Sequence, residues 1–468
     1  MILRTLCYFS LTLAATACQA KPLPEPPFSV EQMEAFADPV DLEVLYGLHY
    51  NQDRVHGKES IHYGTAFLEG YEPYPIKRGL VTRYEPGVII NDVNEVNRSE
   101  TERTVVRMKH FSFPTWDREG HLINLIAQSV TPDDLSLISR LKEVRSLFLE
   151  GYTDTDHLDL NQLSPELPLQ AATFYRTKLS HPQRLCDYQA LQHLEINAAR
   201  VIGDITFKGC IKQAVDIFMA SADIDALTIQ DLPELVYLYL GDSRFKQLHI
   251  DGSSLPKLQS LTLSGADIPS DVDSIQLPEG LLQLYLENVT DDDISKLKLP
   301  KSLQYLNLRG AKLQDYGFIA GAVNLTALVL EDSNFKQWPI LKRFSQLRHL
   351  KAGGTSLTDA GLPVISQLTK LQTLDLSATN ITNANAIENL QELNFLYLFQ
   401  TPMPDLNSIP YIENISDLGL PLEQHYKHPK DYPSHIKKMF STFGKDGGAY
   451  SCNHLKPCEQ PPWNFDSP

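Results

Sequence analysis

The amino-acid sequence predicts an α/β solenoid: a long parallel sheet of short strands, one per repeat, curved into a horseshoe, with a helical or irregular return side and non-repeat caps at both ends. Three observations predict it. The 468-residue chain exceeds one ordinary core, so it is either several domains or an array whose core grows by stacking. One frame of leucines keeps returning: LRHLKAGGTSL from Leu347 is matched by LQSLTLSGADI from Leu258, LQYLNLRGAKL from Leu303, LTALVLEDSNF from Leu325 and LQTLDLSATNI from Leu371. The spacing is regular. Anchors at Leu122, Val144, Leu169, Leu191, Ala214, Leu235, Leu258, Leu281, Leu303, Leu325, Leu347, Leu371, Leu393 and Ile415 mark fourteen units, 21 to 25 residues apart.

Each element follows from the frame. Leucines at its first, fourth and sixth positions make a short alternating segment whose apolar side faces one way and whose intervening residues face the other. One such strand buries nothing alone, but fourteen stacked in parallel at about 4.8 Å make a continuous core roughly 60 Å long. The return leg is expected to be helical in many units, because Thr131, Thr290, Thr358 and Thr382 each follow an apolar residue and precede acidic or helix-forming ones. Thr131-Pro132-Asp133-Asp134 reads as a cap and a first-turn proline. The Asp291-Asp292-Asp293 run then needs no calcium, since acidic residues belong in a first helical turn and the glycine and spacing of a calcium loop are missing.

The frame closely resembles the leucine-rich repeat, L-x-x-L-x-L-x-x-N-x-L, over about residues 119 to 422, roughly two thirds of the chain. The TSLTDAGL wording from Thr355 to Leu362 looks like the repeat subclass common in bacterial proteins, and the chain is similar in general character to exported proteins of the internalin kind. That resemblance implies a horseshoe that binds a protein or peptide on its concave face. One departure matters. The Asn of the family frame, whose side chain bonds backbone along the stack, is replaced by Ser243, Ser333, Thr355, Thr379 and Thr401, or by Ala266 and Ala311. Hydroxyls are expected to make part of that ladder and alanines none, so turns near Ala266 and Ala311 should lean on water or backbone.

The two ends lack the frame. Residues 1–20, with Arg4 and an apolar run from Leu6 to Ala15, read as a secretory signal peptide. Two endings fit: cleavage after Ala20, or a lipobox at Ala15-Thr16-Ala17-Cys18 that leaves Cys18 lipid-bearing, although a lipobox usually has Leu where Ala15 stands. Residues 21–30 form a Pro-rich tether, 31–118 a Tyr- and Pro-rich N-terminal cap region, and 423–468 a C-terminal cap or tail. Past the leader no apolar run is long enough for a membrane span, so the expected location is periplasmic, outer-membrane-anchored or extracellular, with membrane contact only through a lipid at Cys18. Four further cysteines favour two disulfides. Cys186 and Cys210 precede their anchors by five and four residues, so stacking brings them within reach of each other, leaving Cys452 to pair with Cys458. Two buried free thiols are the alternative for the first pair.

The residues between the leucines carry the functional signal. Phe148, Phe218, Tyr237, Tyr239, Tyr285, Tyr305, Phe395, Tyr397 and Phe399 fall there, and five of them, Phe218, Tyr237, Tyr239, Tyr285 and Tyr305, lie within five consecutive units. Such aromatics are interface anchors, although aromatics also favour strands for their own sake. Charges on this face are lopsided: Glu150, Glu195, Asp216, Asp242, Glu287, Glu331, Asp332, Asp375 and Asp417 against Arg176, Arg309 and Lys351. With a net charge of -17, that argues against a phosphate-binding surface, so no nucleic acid partner is expected, and points to a basic or neutral partner, unless the acid serves solubility alone. The candidate partner-binding set is therefore Phe218, Tyr237, Tyr239, Asp242, Tyr285, Glu287, Tyr305 and Arg309.

Chemistry leaves little trace. No His-Glu-x-x-His, Gly-x-Ser-x-Gly or phosphate loop is present, and Gly444-Lys445-Asp446-Gly447-Gly448 lacks a phosphate loop's spacing. Cys452-x5-Cys458 with His454 is a poor zinc pattern, and His425, His428 and His435 read as a solvated tail. No catalytic residue, metal ligand or cofactor site is assigned. Two other functions stay open: an activity within residues 21–118 with the repeats as a targeting arm, and a structural envelope scaffold.

Overall fold

The computed structural model describes residues 37–44, 48, 66–67, 115–116, 120–128, 130–151, 157–267, 274–290, 292–421 and 432–442. Cys18, the tether, Cys452 and Cys458 lie outside the described residues. Leu122 opens a strand and every other anchor stands two residues before one, all in one continuous sheet. Its fourteen repeat strands run parallel from Leu122–Gln128 to Asp417–Gly419, and two short strands, Ala66–Phe67 and Thr115–Trp116, bring the total to 16, the second of them pairing antiparallel with Leu122–Gln128. Register is kept throughout. The residue three places after each anchor, Leu238, Leu261, Leu284 and Leu306 for example, pairs with its counterpart in the next unit and is at most 5% exposed. A leucine buried in this way contributes about 2 kcal/mol, and its neighbours above and below share the same dry interior.

Behind this sheet the return legs depart from expectation. Between residues 157 and 276 they form a second parallel sheet of seven strands rather than helices. His157–Asp159, Lys178–Ser180, Arg200–Ile202, Asp223–Gln230, Arg244–Asp251 and Ile275–Gln276 follow one another in space, and Ile205–Lys208 pairs with the second half of Asp223–Gln230. The reason is local. Ile205-Thr206-Phe207-Lys208 alternates buried and exposed, and so does Leu227-Thr228-Ile229, a period of two that a helix does not satisfy. The flank of Ile205–Lys208 is closed by a side chain: Thr206 N donates to Gln183 Oε1 at 2.8 Å, and Gln183 Nε2 donates to the Thr206 carbonyl at 2.9 Å. Beside it a disulfide joins Cys186 to Cys210, with Cα atoms 5.2 Å apart, as their matched places in successive units require.

Farther along, the returns are mostly single 3-10 turns such as Asp292–Lys296 and Trp338–Arg343. True helix is brief. Pro132–Ile138 starts as its sequence requires, with Asp134 reaching back to the Thr131 N–H at 2.7 Å and proline in the first turn. Thr358 precedes the turn Asp359–Gly361 and the four-residue helix Leu362–Ile365. Thr382 opens no helix; its backbone and hydroxyl bond Asp359 of the preceding unit at 2.8 and 2.5 Å.

Both ends of the core are covered. Leu42, Val44 and Leu48 join it at one end, where the Asp41 carboxylate accepts the Leu122 N–H at 2.7 Å and Arg140 bonds Glu43 at 2.8 and 2.9 Å. At the other end the helix Ser434–Thr442 buries Ile436 and Met439. His435 is no solvated tail residue, because its Nε2 donates to the Ile409 carbonyl at 2.9 Å and helps dock that helix.

Candidate functional site

Residues two, four and six places after each anchor point away from the core, onto the face that is concave in a horseshoe of this kind. The pairing register therefore sorts them into rows. Phe218, Tyr239, Thr262, Tyr285, Asn307, Val329, Lys351, Asp375 and Tyr397 form the middle row in that order. Phe218 and Tyr239 stack, with ring centroids 4.1 Å apart and planes 10° from parallel. Tyr239 lies along its own strand, so close to Gly241 that a Cβ there would sit 2.5 Å from the phenolic oxygen. Tyr285 leans on Tyr305 at 5.0 Å. Tyr305 itself is only 5% exposed, because Tyr285, Ala327 and Val329 gather around it in an apolar patch separate from the main core. It is the floor of this face, not one of its exposed contacts. Phe148 and Tyr397 are similarly buried.

The charged residues fall into two groups. Asp216 is held by His193 Nδ1 at 2.6 Å, and Tyr397 donates to Asp417 at 2.9 Å. Glu287 accepts from the Asn307 side-chain amide, and Arg309 Nε lies 3.8 Å from Asp332. In the middle of the face, burial pushes the Glu331 carboxyl above its ordinary value, against the pull of Lys351 and Arg309. Burial also raises Asp375, although its carboxylate accepts the Ser377 N–H at 2.9 Å. Next to them the His349 imidazole is pushed down to about 4 by burial and, secondarily, by Arg348. These carboxylates sit in a partly dry setting, where a cationic partner gains more than it would in water.

A ladder that the leucine frame does not announce shapes the rim. In eleven successive units the residue seven places after the anchor is left-handed: Arg176, Ala198, Ser221, Asp242, Gly265, Asn288, Gly310, Asp332, Gly354, Ala378 and Gln400 all have φ between 48 and 67°. The ten from Arg176 to Ala378 each donate their N–H to the next unit, as Gly310 does to the Glu331 carbonyl at 2.7 Å. From Asp242 to Gly354 the residues alternate between Asp or Asn and Gly, and each Asx side chain lies over the glycine that follows. A Cβ on Gly265, Gly310 or Gly354 would meet the Oδ1 of Asp242, Asn288 or Asp332 at 2.1 to 2.2 Å. The hydroxyls at the family's Asn position play a smaller part than expected. Ser333, Thr355, Thr379 and Thr401 bond the carbonyl three residues back in their own unit, and Ser243 alone among these hydroxyls bridges units, accepting the Ala222 N–H at 3.0 Å and donating to the Met219 carbonyl at 3.1 Å. Near Ala311 the backbone is served by the Tyr316 hydroxyl, 2.9 Å from the Ala311 carbonyl.

Among the described residues one group of metal-type side chains converges, Asp38, Asp41 and His121 at the first end. Its carboxylates are engaged in closing the cap, Asp41 with the Leu122 N–H and Asp38 with the Val40 N–H at 2.8 Å. What sequence reasoning missed lies in the seventh unit. There the outward residues are Ser260, Thr262 and Ser264, small hydroxyls between Tyr237 and Tyr239 on one side and Tyr285 on the other; the change from YLYLG to SLTLS is the signal.

Fold and frame together define the class: the chain is a leucine-rich-repeat solenoid. It is similar to bacterial leucine-rich-repeat proteins of internalin character among solved structures. A leucine-rich-repeat protein of Leptospira interrogans is 20% identical, with a TM-score of 0.48 over 69% of this chain and 83% of that one. An internalin, inlF, of Listeria monocytogenes is 20% identical, with a TM-score of 0.42 over 63% and 83%. Among curated proteins the chain is 29% identical to lumican of Rattus norvegicus over 217 residues, 43% of this chain, and it spans 61% of that relative's length. No protein-family model matches the chain.

Proposed function

We propose that this is an exported binding protein that recognises a protein or peptide partner, basic or neutral in character, through the outward face of its long sheet. The observation that supports it is the placement of large aromatic surface where folding does not need it. Phe218, Tyr237, Tyr239 and Tyr285 are half-exposed on the side of the sheet away from the core, and behind Tyr285 an apolar patch has formed outside that core. A sheet face with solubility as its only task is polar; half-buried aromatic rings are the composition of an interface centre. Export is supported by the Cys186–Cys210 bond, since such bonds persist in oxidising compartments, and by the apolar first twenty residues.

The test is affinity capture from the organism's envelope and from candidate host-cell surfaces, followed by titration of the captured partner. Tyr239→Ala or Tyr285→Ala is expected to weaken binding by about 2 kcal/mol while thermal melting stays within a degree or two of the parent. Unchanged affinity in both variants would remove this face from the interaction.

A further inference from the structure

Where the cap meets the first repeat strand, three side chains of metal-ligand type converge. Asp38 and Asp41 come from the cap segment and His121 from the residue before the strand Leu122–Gln128, and one ligand atom of each lies within 4.8 Å of the other two. Backbone hydrogen bonds fix them there. Asp38 N donates to the Gly120 carbonyl at 2.6 Å, and the Asp41 carboxylate accepts the Leu122 N–H at 2.7 Å, so the two chain segments are tied together on either side of His121. Asp38 Oδ1 accepts the Val40 N–H at 2.8 Å, and its Oδ2 is the oxygen that faces the imidazole. These bonds orient the carboxylates without exhausting them, since an ionised carboxylate offers about four acceptor positions.

The distances fit a shared ion better than direct contact. His121 Nδ1 stands 3.9 Å from Asp38 Oδ2 and 3.8 Å from Asp41 Oδ2, nearly equidistant and too far to hydrogen-bond either. Two ligand atoms of one ion, each 2.0–2.2 Å from it and set at tetrahedral to trigonal angles, stand roughly 3.3–3.8 Å apart. A small turn of the imidazole covers the difference. The Asp41 side chain, 5% exposed, forms the dry inner wall, and His121 and Asp38, 36% and 31% exposed, form an open rim through which an ion enters and water completes its shell.

We propose that Asp38, Asp41 and His121 bind a divalent transition-metal ion of the zinc class, with one imidazole nitrogen, two carboxylates and water as its ligands. The imidazole selects the ion: calcium and magnesium take oxygen shells of six or more, whereas zinc accepts nitrogen and oxygen in a four-coordinate shell. Two ligands belong to the cap and the third to the solenoid, so the ion clasps one to the other and adds a crosslink across about eighty residues of chain.

The test uses the full chain, stripped with a chelator and titrated with Zn²⁺, Ca²⁺ or Mg²⁺, with amide hydrogen exchange read by mass spectrometry. The chain has 14 histidines, so the position of the response matters more than stoichiometry. Zn²⁺ is expected to slow exchange at least about tenfold in residues 37–44 and Leu122–Gln128, with the strands from Thr373–Asp375 to Asp417–Gly419 unchanged. Asp38→Asn keeps an oxygen for the Val40 N–H but removes the anionic ligand, and His121→Ala removes the nitrogen. Each should shift the zinc midpoint upward by about tenfold or more, while exchange of the metal-free chain stays at the parent level. Protection by Ca²⁺ or Mg²⁺ but not by Zn²⁺ would overturn the ion assigned. Zinc protection that survives both substitutions at the parent midpoint, or zinc uptake with no protection at either segment, would overturn the site and leave the cluster as a hydrogen-bonded closure of the cap.

Discussion

Gly310→Ala probes the left-handed ladder where two costs coincide. Gly310 has φ of +67°, and a Cβ there would lie 2.2 Å from Asn288 Oδ1. Placing an alanine in the left-handed region costs about 1–2 kcal/mol relative to glycine. Driving the Asn288 amide off its seat adds roughly 1 kcal/mol more, in the lower range of overpacking costs. The variant should therefore lose about 2–3 kcal/mol, read as a lower midpoint in urea at constant slope. Asn288→Gly in the same chain separates the two costs: it removes the obstructing side chain and should bring the deficit of Gly310→Ala back to the conformational cost of about 1–2 kcal/mol. A Gly310→Ala protein as stable as its parent, or a deficit that Asn288→Gly leaves at full size, would refute the account of the rim as interlocked Asx and glycine.

Leu306→Ala, at a residue with no exposed surface, should cost about 2–5 kcal/mol by opening a cavity in the stack, measured by the same denaturation. Replacing Cys186 and Cys210 together by alanine should lower stability by about 3 kcal/mol, as expected for a crosslink closing 24 residues, and mapping without reduction should recover the two cysteines in one linked pair. The His349 ring should titrate near 4 by NMR, below its ordinary 6.5. Because folding favours the neutral ring, its contribution to stability is whole above 6.5 and is lost as pH falls from 6.5 through about 4; a midpoint near 6.5 would place the ring in water.

The long sheet was legible because its signal is redundant: each leucine of a frame repeated fourteen times is buried beside its own copies, so errors in one unit are corrected by the next. The return legs carry no such repetition. Asp223-Ile224-Asp225 and Ile205-Thr206-Phe207-Lys208 hold a period of two over three or four residues, a signal easily passed over next to threonines that resemble helix caps. Thr131 does open a helix, since Pro132 and Asp134 support it, whereas Thr382 turns its hydroxyl to Asp359 instead. The outward aromatics could be placed by register alone. That Tyr305 is a floor and that Tyr239 stays half-exposed could not, because both depend on neighbours one strand away: Tyr285 and the valine and alanine beside it for the first, Phe218 for the second. The rim ladder was written at a fixed place in eleven units, but in residues as different as Arg176, Ala198 and Gln400, which share a backbone conformation and no side-chain chemistry.

Oxidative footprinting of the chain with and without its captured partner tests the central claim most directly. Protection of Tyr237, Tyr239 and Tyr285, with His249 on the second sheet unchanged, is the result this account predicts. Protection of His249 with the three tyrosines still fully reactive would contradict it.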